Sequence, residues 1–190
     1  MPPQEPEPPG PGQAPSPDAT VYPMAPLIRF TLISLYLALV LPLPWLAPAG
    51  LRPLLWLALP LGLLLIVALV SEQVELSASG LRVGHPRWCA WLLRRGWQLR
   101  WDQVQGLTPV TTSQGGRVYY VRSQDGSAYL LPQRVQGFEP FLGRFSQATG
   151  LDTSSIGRIS PAWTYQLLAA LCALMLLGEL AGGLWWLQAG

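Results

Sequence analysis

The chain has 190 residues, half of them hydrophobic and only 12% charged, with a formal charge of +2, whereas a soluble domain ordinarily carries about 25% charged residues. That composition excludes an ordinary cytosolic globule and points to a membrane. The two cysteines, Cys89 and Cys172, fall in a polar and an apolar stretch respectively, so they supply no disulfide framework and imply no oxidising compartment.

Residues 1–20, MPPQEPEPPGPGQAPSPDAT, contain eight prolines and almost no large apolar group. Such a segment cannot bury enough surface to offset its chain entropy, so residues 1–26 are expected to be a disordered, proline-rich tail. It lacks the basic start and early apolar core of a secretory signal, which makes the first apolar helix an uncleaved anchor. The Pro6-x-x-Pro9 spacing fits a polyproline II ligand, as any tail this rich in proline would.

No charged residue occurs in Phe30 to Leu51, Pro53 to Ser71, or Ile159 to Gly178. Each window is close to the ~20 residues a helix needs to cross ~30 Å of hydrocarbon. Residues 27–71 are read as a transmembrane helical hairpin, with Pro42 and Pro44 ending or bending its first helix and Pro60 kinking its second. Residues 159–188 are read as a third transmembrane helix, opened by Ser160 and Pro161. Arg29, Arg82, Arg87, Arg144 and Arg158 crowd the side of the intervening segment, against Arg52 alone at the hairpin tip. The tail and the segment between helices two and three are therefore expected in the cytoplasm. Tyr22, Trp163 and Tyr165 are assigned to the inner interface, and Trp45, Trp56, Trp185 and Trp186 to the outer one. Glu179 in the third helix and Arg52 at the tip are expected to form an ion pair that staples hairpin to helix. Gly178 and Gly182 give one face of the third helix a small-residue pair for close helix approach, either within the chain or in a homo-oligomer.

After Ser71 the apolar period falls from helical to two. Residues 73–76 and 81–83 alternate around the Ser79-Gly80 turn, followed by strand-like runs at 97–101, 104–112, 117–123 and 128–132. Gly115, Gly116 and Asp125-Gly126 supply tight turns. Phe138, Phe141, Leu142 and Phe145 then recur at helical spacing, with Gly150 as terminator. This order, and in particular SerGlyLeuArgVal (79–83), LeuArgTrpAspGlnValGlnGlyLeu (99–107), ValTyrTyrVal (118–121) and AspGlySerAlaTyrLeuLeuPro (125–132), resembles the pleckstrin-homology-like domain of small bacterial membrane proteins. The resemblance implies a mixed membrane-helical and α+β fold: three transmembrane helices with an antiparallel β-rich PH-like domain, residues 72–158, inserted before the third and closed by one C-terminal helix. The layout also resembles that of thylakoid photosystem I assembly factors, from which the third helix and the proline tail depart. The whole chain looks similar to uncharacterised cyanobacterial membrane proteins, which implies a plasma or thylakoid membrane.

The segment 87–101, RWCAWLLRRGWQLRW, packs four tryptophans and four arginines without a carboxylate. If helical, Trp88, Trp91 and Leu92 share one face while Arg94 and Arg95 approach the other, the pattern of an interfacial helix. Arg87, Trp88, Trp91, Arg94 and Arg95 are thus the candidate lipid- or partner-binding residues. Trp97 and Trp101 are read as sheet core. Residues 72–160 carry ten arginines against six carboxylates, a net of +4, too little beside a bilayer to argue for nucleic acid. His85 and Cys89 are one helical turn apart, yet a closed zinc site needs four ligands. No acid–base pair, phosphate loop or cofactor motif is visible, so no catalytic residue, metal or cofactor is assigned. The expectation is a non-catalytic membrane protein whose domain docks on the leaflet and on a membrane-protein partner as a scaffold or assembly factor. The alternative is a lipid sensor in which Arg87, Arg94 and Arg95 bind anionic headgroups.

Overall fold

In the computed structural model the described residues are 19–93, 96–113, 115–157 and 162–189. They form two compact units, one of the described residues within Met1–Pro23 and Glu72–Gly157 and the other of those within Met24–Ser71 and Arg158–Gly190.

The second unit is helical. Helix α1 (Pro26–Val40) starts on a proline that fits a first turn and stops just before Pro42, after which a short α2 (Leu43–Leu46) completes the span. Helix α3 (Arg52–Leu69) runs continuously through Pro60, and α6 (Ala162–Ala189) is the longest. Three stretches, Pro26–Leu46, Arg52–Leu69 and Trp163–Trp185, are long and apolar enough to cross a bilayer and mark this as a membrane protein. Helix α1 packs against both α3 and α6. Towards α3, the Tyr36 hydroxyl donates to the Leu59 carbonyl at 2.7 Å, beside Pro60, and Gly62 leaves room for the phenol. Near the tip, Trp45 and Trp56 meet edge to face with centroids 4.9 Å apart. Towards α6, the less exposed positions Tyr165, Leu168, Ala169, Cys172, Leu176 and Glu179 recur every three or four residues and form the seam against α1.

Two sequence expectations change here. The Arg52–Glu179 ion pair is not formed: Arg52 Nε donates to Ala47 O at 3.1 Å within the hairpin tip, while Glu179 lies on the seam facing α1 and its Oε2 has no hydrogen-bond partner among the described residues. Gly178 and Gly182 lie off that seam; both are exposed, and a Cβ at either would meet nothing within 4 Å. Among the described residues they therefore make no close helix approach.

The first unit has two antiparallel sheets. The four-stranded sheet has the order β1 (Thr20–Pro23), β2 (Gln73–Leu76), β3 (Gly80–Gly84), β4 (Trp97–Arg100). The three-stranded sheet has the order β5 (Val104–Thr111), β6 (Arg117–Ser123), β7 (Ala128–Leu130). A short α4 (Arg87–Ala90) lies between β3 and β4, and α5 (Phe138–Thr149) closes the unit. On α5, Phe138, Phe141, Leu142 and Phe145 are all buried, joining Val74, Leu81, Leu99 and Val121 from the sheets. Gly126 and Gly150 adopt the positive φ that the Asp125-Gly126 turn and the helix end require.

The strand β1 falls inside the stretch expected to be a disordered tail. Residues 20–23 pair with β2 in the register Thr20↔Leu76 to Pro23↔Gln73. Tyr22, expected at the membrane interface, is 8% exposed and meets Phe141 edge to face at 5.6 Å. Gln136 N–H donates to Pro23 O at 2.7 Å, and Arg144 donates to the Thr20 hydroxyl. The hairpin is thus inserted in sequence between two paired strands of the domain, so the domain is assembled from segments that precede and follow it in the chain.

Candidate interfacial loop and sheet face

The Trp/Arg segment forms the connection from β3 to β4. Its base is tight: a Cβ on Gly96 would run into the Val83 carbonyl, so only glycine lets the loop return beside Gly84. Pro86 stands just before α4, and its carbonyl accepts from Cys89 N at 3.1 Å and Ala90 N at 3.0 Å, closing one helical turn. Cys89 points inward, 1% exposed, with its thiol 3.5 Å from Pro86 O, and burial pushes that thiol's pKa up. It therefore acts as a small apolar anchor rather than a reactive thiol.

With Cys89 turned in, its neighbours turn out. Trp88 is 48% exposed, Trp91 80% and Leu92 49%. The Trp91 indole N–H donates to the Trp88 carbonyl at 2.9 Å, so the ring projects without an unmet donor. Of the remaining sequence-assigned residues, Arg87 is exposed on α4; Arg94 and Arg95 lie outside the described residues. Trp97 and Trp101 take no part in this surface. Trp97 stacks on Tyr129 with centroids 4.9 Å apart, and Trp101 packs edge to face on Phe145 while its N–H donates to Ser77 O at 3.0 Å. His85 sits at the loop's start with Nδ1 buried, and among the described residues no three His, Cys, Asp or Glu side chains converge.

The ladder registers fix where this loop stands within the domain. Pro23 pairs with Gln73, and Gln73 pairs with Gly84, so all three occupy one end of the four-stranded sheet. From that end Pro23 leads through Met24 and Ala25 into α1, Gln73 receives the chain from α3, and Gly84 opens the tryptophan loop.

A second surface went unassigned at the sequence level. On β6, Tyr119, Val121 and Ser123 are buried, so Val118, Tyr120 and Arg122 form the opposite face. Register brings Thr108 and Val110 of β5, and Leu130 and Ala128 of β7, alongside them. Val110 is 42% exposed and Leu130 47%. An antiparallel sheet with one solvated face ordinarily turns polar residues outward; this one turns out valine, tyrosine and leucine. The available signal was the unbroken run ValTyrTyrVal at 118–121, apolar at both parities.

A protein of Synechocystis sp. (strain ATCC 27184 / PCC 6803 / Kazusa), the uncharacterized protein slr0269, is 44% identical over 167 residues, covering 85% of this chain and 84% of the relative. No family model matches the chain, and no solved structure does.

Proposed function

We propose that this chain, which belongs to the family of the Synechocystis protein slr0269, is a non-catalytic integral membrane protein whose PH-like domain acts as a scaffold or assembly factor for a membrane-protein complex. The PH-like assignment is supported by the four-stranded and three-stranded sheets with one closing helix. The tail and the domain face the cytoplasm on this reading, of either a plasma or a thylakoid membrane, in keeping with the placement of arginines near the membrane ends.

The observation that carries the scaffold reading is the outer face of the three-stranded sheet. Val110, Val118, Tyr120 and Leu130 form a contiguous apolar patch beside Arg122, and exposed apolar patches with polar rims mark protein interaction sites. Tyrosine and arginine are among the residue types enriched as anchors of such sites. A domain joined in one chain to membrane helices meets a second membrane protein in two dimensions rather than three.

The test is site-specific photo-crosslinking in native membranes with a benzophenone amino acid at Val110 or Leu130, and at Asp125 as the control. A discrete protein adduct from the first two positions, absent at Asp125 and lost on Tyr120→Glu, is the expected result. Adducts of equal intensity at all three positions, or none at any, refute the docking face.

A further inference from the structure

We infer that Trp88, Trp91 and Leu92 enter the headgroup and upper acyl layer of the leaflet from which the hairpin departs, making the β3–β4 loop a lipid anchor distinct from the protein-docking sheet face. The inference stands on three observations and does not depend on the scaffold reading.

The first is placement. Gly84, where the loop begins, lies on the same rung as Pro23 and Gln73, the two residues through which the domain is joined to α1 and α3. The rung spans two strand spacings, each about 4.8 Å, so the loop leaves the sheet within about one nanometre of Pro23 and of Gln73, the strand residues that lead along the chain to the membrane helices. Of the strand connections, β2–β3 leaves from the opposite end of this sheet, at Leu76 and Gly80.

The second is chemistry. The loop turns two indole rings and a leucine outward and one thiol inward, with no carboxylate anywhere from Arg87 to Trp101 that would have to be taken out of water. Arginine is the only charged type there, and arginine near an anionic leaflet is attracted rather than repelled. Tryptophan ordinarily stops at the interface because its N–H needs a partner. In Trp91 that need is met internally by Trp88 O, so the ring can pass below the headgroups without leaving an unmet donor.

The third is local closure. Gly96 approaches Gly84 at the base, the Pro86 carbonyl closes the turn of α4, Cys89 is buried and the Trp91 indole is hydrogen-bonded to Trp88 O, so the turn that presents the two rings is formed before insertion and need not be ordered by it.

The experiment uses the full chain in vesicles of phosphatidylcholine and phosphatidylglycerol, with a nitroxide attached at Leu92→Cys or, separately, at Trp91→Cys, and at Asp125→Cys as the aqueous control. The native cysteines stay unlabelled because both are buried. Collisional relaxation by oxygen, which concentrates in lipid, is compared with that by a water-soluble nickel complex. The expected result at positions 91 and 92 is an oxygen-to-nickel ratio several-fold above that at 125. A nickel-accessible label at both positions places the loop in water, and a label shielded from both reagents places it under protein; either result overturns the inference. Leu92→Cys leaves both tryptophans in place, so a failure to fold at Trp91→Cys does not blunt the test.

Discussion

If the domain is assembled across the hairpin, β1 is indispensable to it although it lies beyond the membrane helices in sequence. Pro23 and Gln73 are register partners, so a two-residue Asn-Gly turn can replace everything between them and convert β1–β2 into an ordinary hairpin. The resulting chain, residues 20–23, Asn-Gly and 73–157, is expected to be soluble and to unfold cooperatively, whereas 73–157 alone is not. The magnitude comes chiefly from Tyr22. Truncating a ring this well buried costs about 3–5 kcal/mol, and its edge-to-face contact with Phe141 contributes about 0.5–1.5 kcal/mol of specific pairing within that figure. A domain of this size has about 4–13 kcal/mol in total at ~0.05–0.15 kcal/mol per residue. Deleting β1 recovers some backbone entropy, about 1–2 kcal/mol per residue, but also uncovers Phe141 and the edge of β2. Tyr22→Ala in the joined chain is the cleaner probe, because strand and entropy stay while the ring goes. Urea unfolding followed by near-ultraviolet circular dichroism should show a sharp transition for the joined chain, a midpoint lowered in proportion to about 3–5 kcal/mol for Tyr22→Ala, and no cooperative transition for 73–157. A fragment 73–157 that unfolds as sharply and as late as the joined chain would refute the reasoning.

The hairpin offers a second test, since Gly62→Ala drives a methyl group into the Tyr36 phenol and separates its hydroxyl from Leu59 O. Tyr36→Phe should cost about 0.6–2 kcal/mol, the range for interhelical hydrogen bonds in membranes; Gly62→Ala should cost more alone than in the Tyr36→Phe background, a non-additivity read by thermal unfolding in detergent micelles. The turns offer a third. Ser127 N–H donates to Asp125 Oδ1 at 2.8 Å and Ser154 N–H to Asp152 Oδ1 at 2.9 Å, and these backbone hydrogen bonds hold both carboxyls below the usual aspartate pKa. Because the unfolded chain binds these protons more readily, the contribution to stability is complete above the ordinary pKa near 4 and fades as pH falls through the lowered folded values. Carboxyl-detected titration of the joined domain should place the midpoints of Asp125 and Asp152 below the ordinary aspartate value, and Asp125→Asn should flatten the acid limb of its stability profile by lowering the plateau above the ordinary pKa while leaving the acid end almost unchanged.

Local pattern carried some elements to within a residue or two and missed others for an identifiable reason. The α5 face Phe138, Phe141, Leu142 and Phe145 and the alternating β2, β3 and β6 were legible because their burial follows from spacing within one segment. Strand β1 was not: ThrValTyrPro is too short to show a period, follows a proline-rich stretch, and gains its partner only after an intervening hairpin brings Gln73 back beside Pro23. The same limit explains Arg52 and Glu179. Two opposite charges near one membrane face invite pairing, but which helices touch is decided by seams, and α6 is seated along α1. At the tryptophan loop, composition singled out Trp88 and Trp91, which the structure leaves exposed, yet only the ladder register ties Gly84 to the rung of Pro23 and Gln73. Because β1 precedes the hairpin and β2 follows it, the residues that lead to α1 and from α3 are register partners on one rung of the sheet, and Gly84 on that same rung opens the tryptophan loop; no pattern within a single segment could show that three stretches so far apart in sequence meet at one end of one sheet.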